Sequence, residues 1–241
     1  MDCVDGLKLV DENSIDLIVT SPPYNCGIEY DSWDDNMPWT EYLGWCLSWL
    51  EECYRVLKPD GRICINVLLD IGNSTMGRFS PFNDFYTMMK YVGINHHGLA
   101  LWNDNHRVKY TAWGSWLSPS APYIYCPYKA IIIGYKDVWK KEKSGEATIH
   151  KGDFMEGCSG IWNLNTESNA KYVAAFPEKL PERCIELLTW KGDLVLDPFM
   201  GSGTTAVASV KAERNFIGFE ISEKYCEIAN NRLLTVQRRL F

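Results

Sequence analysis

The sequence predicts a single α/β domain with a mostly parallel sheet and a small insert, and three observations carry that prediction. Short apolar runs alternate with segments whose apolar positions recur at helical spacing, the rhythm of a parallel sheet covered by crossover helices. The 241 residues exceed one average domain of roughly 150 residues by about half, which is room for one such domain plus an insert. Hydrophobic residues make up 46% and charged residues 23%, a balance that can bury a core and argues against disorder, collagen or a coiled coil.

The elements follow in order. Ile15-Asp16-Leu17-Ile18-Val19-Thr20 reads as a short buried strand, stopped by Ser21-Pro22-Pro23 because two prolines cannot continue a central strand. Residues 38–57 open on a proline and place Tyr42, Trp45, Cys46, Trp49, Leu50, Cys53, Val56 and Leu57 at helical spacing. Lys58-Pro59-Asp60-Gly61 reads as the turn that ends this helix, before a second buried strand at Arg62-Ile63-Cys64-Ile65-Asn66-Val67. Residues 71–83 read as a Gly/Ser/Asn loop, 82–92 as a helix, and strands are expected near 97–103 and 130–136. Residues 136–168 are the least periodic and form the candidate insert. A helix from Pro177 to Trp190, a strand at Leu194-Val195-Leu196, a helix from Thr204 to Ala212, a strand at Phe216-Ile217-Gly218-Phe219-Glu220 and a terminal helix over 222–236 complete the reading.

Charge and cysteine usage narrow the class. The net charge of −7 argues against a generally sticky nucleic-acid coat and leaves room for a local basic groove. The clearest local excess is Lys136, Lys140, Lys141, Lys143 and Lys151 against Asp137, Glu142 and Glu146. Nine cysteines, an odd number without a Cys-x-x-Cys pair, read as reduced thiols rather than a disulfide framework or a zinc site. The four histidines show no metal-ligand spacing, so no metal is expected. No apolar run approaches the ~18 residues a membrane helix needs. Met1-Asp2-Cys3-Val4-Asp5 lacks the basic and apolar regions of a secretion signal, so a cytoplasmic protein without a membrane partner is expected. The first strand and Asp2 come so early that either an earlier natural start or a minimal fold is expected.

Two segments carry chemistry. Asp197-Pro198-Phe199-Met200-Gly201-Ser202-Gly203 joins a strand to a helix, and Gly201-Ser202-Gly203-Thr204-Thr205-Ala206 fits the loose dinucleotide pattern G-x-G-x-x-A. Glycines let a backbone approach a ligand, and a helix N-terminus offers unpaired N–H groups. Asp197 is expected at the strand's C-terminal tip, where open α/β sheets bind ligands. Glu220, ending the next strand, can accept hydrogen bonds from both ribose hydroxyls, and Phe199 can cover an apolar part of the ligand. A dinucleotide oxidoreductase would fit this loop but leaves Ser21-Pro22-Pro23-Tyr24 unexplained. There the Ser21 hydroxyl and the Pro22 carbonyl are two acceptors suited to a planar exocyclic amine, Pro22 and Pro23 fix their direction, and Tyr24 offers a ring face for stacking on a base. Two acceptors would draw the amine hydrogens out of the ring plane and localise the nitrogen lone pair for attack on an electrophilic methyl group.

Together the two segments resemble the amino-group DNA methyltransferases that use S-adenosylmethionine, and their order resembles the permuted β group of that family. The likeness covers roughly residues 1–135 and 161–236. It implies a Rossmann-like methyltransferase fold, a mostly parallel central sheet with helices on both faces and a small target-recognition insert. It divides the chain into a target-base half at 1–135, the insert at 136–168 and a cofactor-binding half at 169–241. By resemblance Asp2 would meet the cofactor's adenine amine, and Asp197, Pro198, Phe199, Gly201, Ser202 and Gly203 would hold its methionine end. Thr204 and Thr205 match the helix start and Glu220 the ribose-binding acid. Phe176 and Pro177 match the segment that closes over the cofactor, with Val173-Ala174 where many relatives carry His-Pro. Trp102, Trp113, Ser115 and Trp116 match an aromatic region near the target-base pocket, while Arg107, Lys109, Lys140 and Lys141 are expected near phosphate. Ser21 at the head of the tetrapeptide points to cytosine N4, with adenine N6 as the alternative. RNA, a protein amide or a catalytically inactive nucleic-acid-binding module are more distant readings. Implied partners are DNA, a second copy of the chain and a cognate restriction endonuclease.

Overall fold

The computed structural model describes residues 1–73, 77–103, 114–124, 126–165 and 176–240. Its elements are α1 (Cys3–Lys8), β1 (Ile15–Thr20), α2 (Trp39–Val56), β2 (Leu57–Leu68), β3 (Ile71–Asn73), β4 (Gly77–Phe79), α3 (Pro81–Val92), β5 (Asn95–Asn103) and β6 (Tyr128–Tyr135). There follow α4 (Lys151–Gly157), β7 (Ile161–Asn163), α5 (Lys179–Leu188), β8 (Leu194–Asp197), α6 (Thr204–Lys211), β9 (Asn215–Gly218) and α7 (Glu223–Leu240). Seven strands form one sheet in the order β7-β5-β6-β2-β1-β8-β9. Only β6 runs against its neighbours; every other pairing in the sheet is parallel, as the sequence predicts.

Helices cover both faces, which is why the central strands read as unbroken apolar runs instead of alternating ones. Ile18, Ile63 and Ile65 point to one face and pack with Leu7, Trp49, Leu50 and Phe85 of α1, α2 and α3. Leu17, Val19 and Val195 point to the other, with Leu180, Cys184 and Ile185 of α5 and Ala208 of α6. Adjacent residues on β1 therefore serve opposite layers, the period of two that a pleated strand imposes. No helix among the described residues is long and apolar enough to cross a membrane.

The structure differs from the sequence reading in four places. Lys58-Pro59-Asp60-Gly61 is not a free turn between helix and strand but a bulge inside β2. The register jumps from Ile15 opposite Leu57 to Leu17 opposite Arg62, so the surplus residues loop out. Gly61 is required there, because a Cβ would lie 2.8 Å from the Lys58 carbonyl and 2.9 Å from that of Ile15. The unanticipated α1 is a short helix whose start is capped by Asp2, with Oδ1 accepting the Val4 N–H at 2.8 Å. Residues 71–83, read as a loop, contain the β3–β4 hairpin. Within 136–168 the chain forms α4 and β7, and β7 extends the main sheet by pairing Trp162 with Trp102.

Candidate active site

The chain builds outward from β1 in one direction through β2 and from β8 in the other through β9, so the two strands flank a switch in strand order. Such a point leaves a crevice at the carboxyl ends of the strands. Both chemistry-bearing segments begin there, Ser21-Pro22-Pro23-Tyr24 after β1 and Pro198 to Gly203 after β8.

Asp197 joins them. Its Oδ1 accepts from Thr20 Oγ1 at 2.7 Å and from the Phe199 N–H at 3.0 Å, and its Oδ2 accepts from Thr205 Oγ1 at 2.6 Å. Burial pushes the carboxyl up to about 6 against the pull of these donors. The glycine loop is strapped from further directions. Glu220 Oε2 accepts the Gly201 N–H at 2.8 Å and Oε1 accepts that of Ser222 at 2.9 Å. Arg232 of α7 donates to the Ser202 carbonyl at 2.8 Å and to Thr204 Oγ1 at 3.1 Å. Gly201 and Gly203 take left-handed φ values of 51° and 81°, and a Cβ on Gly203 would lie 2.8 Å from that of Ala229.

The tetrapeptide is equally fixed. Ser21 Oγ and Tyr24 Oη stand 2.6 Å apart, and Asn66 Nδ2 of β2 donates to them at 3.2 Å and 2.9 Å respectively. Tyr42 of α2 donates to the Pro23 carbonyl at 2.7 Å. The chain beyond is stapled by buried Asp35, which accepts the N–H groups of Asn25 at 2.7 Å, Cys26 at 3.0 Å and Ile28 at 3.1 Å. This staple brings Tyr30, Asp31 and Trp33 to the crevice, where Ser222 Oγ donates to Asp31 at 2.7 Å.

The result is one open cleft with an empty volume of about 960 Å³. Asp2, Ser21, Pro23, Phe176, Pro198, Phe199, Gly201, Ser202, Thr204 and Glu220, all singled out from the sequence, share its wall. Pro22, Tyr24, Pro177, Asp197, Gly203 and Thr205 do not form its surface. Tyr24 differs most from expectation: it is 6% exposed, its hydroxyl is bonded inward, and the Lys129 ammonium sits 5.4 Å from its ring centre, so in this state it offers no open stacking face. The described wall carries three carboxylates, Asp2, Asp31 and Glu220, and no lysine or arginine.

The residues expected at the nucleic acid scatter. Trp102 is a core residue, 2% exposed, whose Nε1 donates to the Leu164 carbonyl at 2.7 Å. Ser115 holds a local turn through the Ser118 carbonyl at 2.7 Å and the Ala121 N–H at 2.9 Å, while Trp116 beside it is exposed. Lys140 is exposed, but Lys141 is buried between Asp16 at 3.3 Å and Asp193 at 3.6 Å and cannot reach a phosphate. Lys136 likewise turns inward, donating to Asn13 Oδ1 and the Leu57 carbonyl, both at 2.9 Å, so the lysine cluster loses two of its members to the interior. Arg107, Lys109 and Trp113 lie outside the described residues. Sequence reasoning missed Asn66, Asp35, Trp33, Trp45 and Arg232. Asn66 left a signal, a polar residue inside an apolar strand.

The pattern of the family described as DNA methylase matches residues 15–231. The type II methyltransferase M.MjaVI of Methanocaldococcus jannaschii is 39% identical over 175 residues, covering 68% of this chain and 89% of its own length. M.HpaI of Haemophilus parainfluenzae is 32% identical over 244 residues, covering 95% of this chain and 71% of its own. Among solved structures, a Thermus thermophilus protein named as a DNA modification methylase, in complex with S-adenosyl-L-methionine, superposes with a TM-score of 0.78 at 24% identity, over 98% of this chain and 91% of that one. PvuII DNA methyltransferase (cytosine-N4-specific) superposes with a TM-score of 0.74 at 23% identity, over 96% and 84%. These structural likenesses carry the fold; the sequence matches, running from β1 into α7 through both walls of the cleft, carry the family, and the chain belongs to the N6/N4 DNA methylases.

Proposed function

We propose that the chain moves a methyl group from S-adenosylmethionine to the N4 amine of a cytosine flipped out of duplex DNA. The observation that carries this reading is Ser21, a hydroxyl at the tip of β1 that shares one cleft with the glycine loop. The cleft wall supports the cofactor. Carboxylates at Asp2, Asp31 and Glu220, with no described lysine or arginine, suit a ligand that is cationic and rich in N–H and O–H donors. The pyrophosphate of a dinucleotide would meet repulsion there, which argues against the oxidoreductase alternative. Phe199 and Trp45, with ring centres 5.5 Å apart, and Phe176 provide apolar walls for a purine.

When bound, the cofactor supplies an electrophilic methyl group. Glu220 would accept the ribose hydroxyls and Asp2 the adenine amine. With the flipped base seated, Ser21 Oγ and the carbonyl of Pro22, a residue that lies behind the described cleft wall, would accept the two hydrogens of the target amine and turn its lone pair toward the methyl carbon. No strong base is needed beforehand, because the amine proton becomes acidic once the C–N bond has formed and can then leave by way of Ser21 Oγ. The base must leave the duplex to present this amine, which is otherwise paired. The chain order, tetrapeptide first and glycine loop last, supports the permuted β-group arrangement. The contacts that select a DNA site are assigned to the segments around 114–124 and 136–168.

The test is labelled-methyl transfer to unmethylated DNA followed by digestion and identification of the nucleosides. N4-methylcytosine is the expected product. N6-methyladenine would keep the mechanism and move the target to the alternative base. Label in RNA or protein and none in DNA would overturn the assignment of the polymer.

A further inference from the structure

Asn66 is buried in β2 within Ile63-Cys64-Ile65-Asn66-Val67, where an amide is costly unless it is paired. One end of it is paired: Nδ2 reaches Tyr24 Oη at 2.9 Å and Ser21 Oγ at 3.2 Å, and those hydroxyls are 2.6 Å from each other. The other end, Oδ1, is buried without a hydrogen-bond partner. A strand residue that leaves one polar atom orphaned in order to aim the other at two hydroxyls is poorly explained by stability alone, since an unmade buried hydrogen bond costs about 1–3 kcal/mol.

We propose that Asn66 is a positioning residue for methyl transfer, setting the place and the proton arrangement of the Ser21–Tyr24 pair. The inference rests on the reading of Ser21 as an acceptor for the substrate amine. A serine hydroxyl has one proton and two lone pairs. Asn66 fills one lone pair of Ser21 and one of Tyr24. Either hydroxyl can donate across the 2.6 Å between them; when the Ser21 proton goes to Tyr24 Oη, the second lone pair of Ser21 is left for the amine. Burial keeps the Tyr24 phenol neutral by raising its pKa, so the pair holds two protons at working pH, and the amide, by occupying a lone pair on each oxygen, restricts where those protons can point. Asn66 itself is absent from the cleft wall and acts through Ser21.

The experiment uses the full chain with S-adenosylmethionine and duplex DNA and compares Asn66→Leu, Asn66→Asp and Ser21→Ala with wild type. Asn66→Leu removes the donor at similar volume. It is expected to lower kcat by about tenfold to a hundredfold, the scale of a slightly misplaced reacting group, with cofactor Kd and DNA KM within about twofold. Asn66→Asp places an ionisable group on the pair and is expected to give the kcat–pH profile an ionisation that wild type lacks, and it carries the test if the leucine variant does not fold. Asn66→Leu added to Ser21→Ala is expected to reduce residual transfer no further, because a residue acting through Ser21 has nothing left to act on. Wild-type kcat in Asn66→Leu, an unchanged pH profile in Asn66→Asp, or a loss of kcat matched by an equal loss of cofactor affinity overturns the proposal. The control separates the two readings. If Ser21→Ala turns over normally, the reading of the site itself falls; if Ser21→Ala is inactive and the Asn66 variants are not impaired, only the role of Asn66 falls.

Discussion

Asp16 and Asp197 are buried carboxylates on neighbouring parallel strands, the first near the start of β1 and the second at the end of β8. Burial pushes Asp16 up, but the Leu194 N–H at 2.9 Å, Lys58 at 2.8 Å and Lys141 together hold it below the usual carboxylate range. Asp197 has two hydroxyls and an N–H and no cation, so burial prevails and its pKa rises to about 6. One end of the sheet thus neutralises its buried charge with lysines drawn from distant parts of the chain. The other end pairs no cation with its buried carboxylate, and the adjoining cleft wall carries three carboxylates and no described lysine or arginine, which suits a cationic ligand. The difference teaches that stability and ligand binding are assigned to opposite ends of the same two strands.

The largest effect is expected from Asp197→Ala. Thr20, Thr205 and the Phe199 N–H each lose a buried acceptor, at about 1–3 kcal/mol apiece, so the glycine loop should shift and cofactor affinity fall by about a hundredfold in a calorimetric titration. Unchanged affinity would break the comparison. Asp16→Asn should do the reverse. Lys141 stays buried with only Asp193 beside it, at 3.6 Å, and stability in a denaturant titration should drop by about 2 kcal/mol while cofactor affinity stays within about twofold.

The pH dependence sharpens the contrast through opposite signs. Asp16 has a lowered folded pKa, so its contribution is present above the ordinary carboxylate value of about 4 and disappears as pH falls through the folded value. The stability gap between wild type and Asp16→Asn should therefore close in acid. Asp197 has a raised folded pKa, so it makes folding less favourable as pH rises from about 4 to about 6. A part of the wild-type stability slope over that window should be missing in Asp197→Asn. The smallest effect belongs to the lysines. Lys140→Ala should reduce the salt slope of DNA binding by about one with stability changed by less than about 0.5 kcal/mol, whereas Lys141→Met should leave the slope intact and destabilise the fold.

The sequence made legible what local chemistry dictates. The apolar run of β1, the helical spacing of α2 and the glycine turn after β8 each specify their element within a few residues, and the two turns that line the cleft were found because prolines and glycines punctuate strands. What depended on distant partners was hidden. Lys141 looks like a phosphate contact until Asp16, more than a hundred positions earlier, is seen beside it. Lys136 is turned inward by the carbonyl of Leu57, and Tyr24 by Asn66. The Lys58–Gly61 excursion has the composition of a turn, and only strand pairing on both sides of it makes it a bulge. Trp33 and Asp31 reach the cleft because Asp35 folds their loop back, a contact among residues that carry no periodic signal.

The central claim, that the tip of β1 performs the transfer while the tip of β8 holds the cofactor, is tested most directly by single-turnover methyl transfer in Ser21→Ala with S-adenosylmethionine already bound. Cofactor affinity should stay within about twofold of wild type while the transfer rate falls by at least about a hundredfold, the scale set by losing one polar contact to the reacting group. A wild-type transfer rate in that variant would contradict the claim.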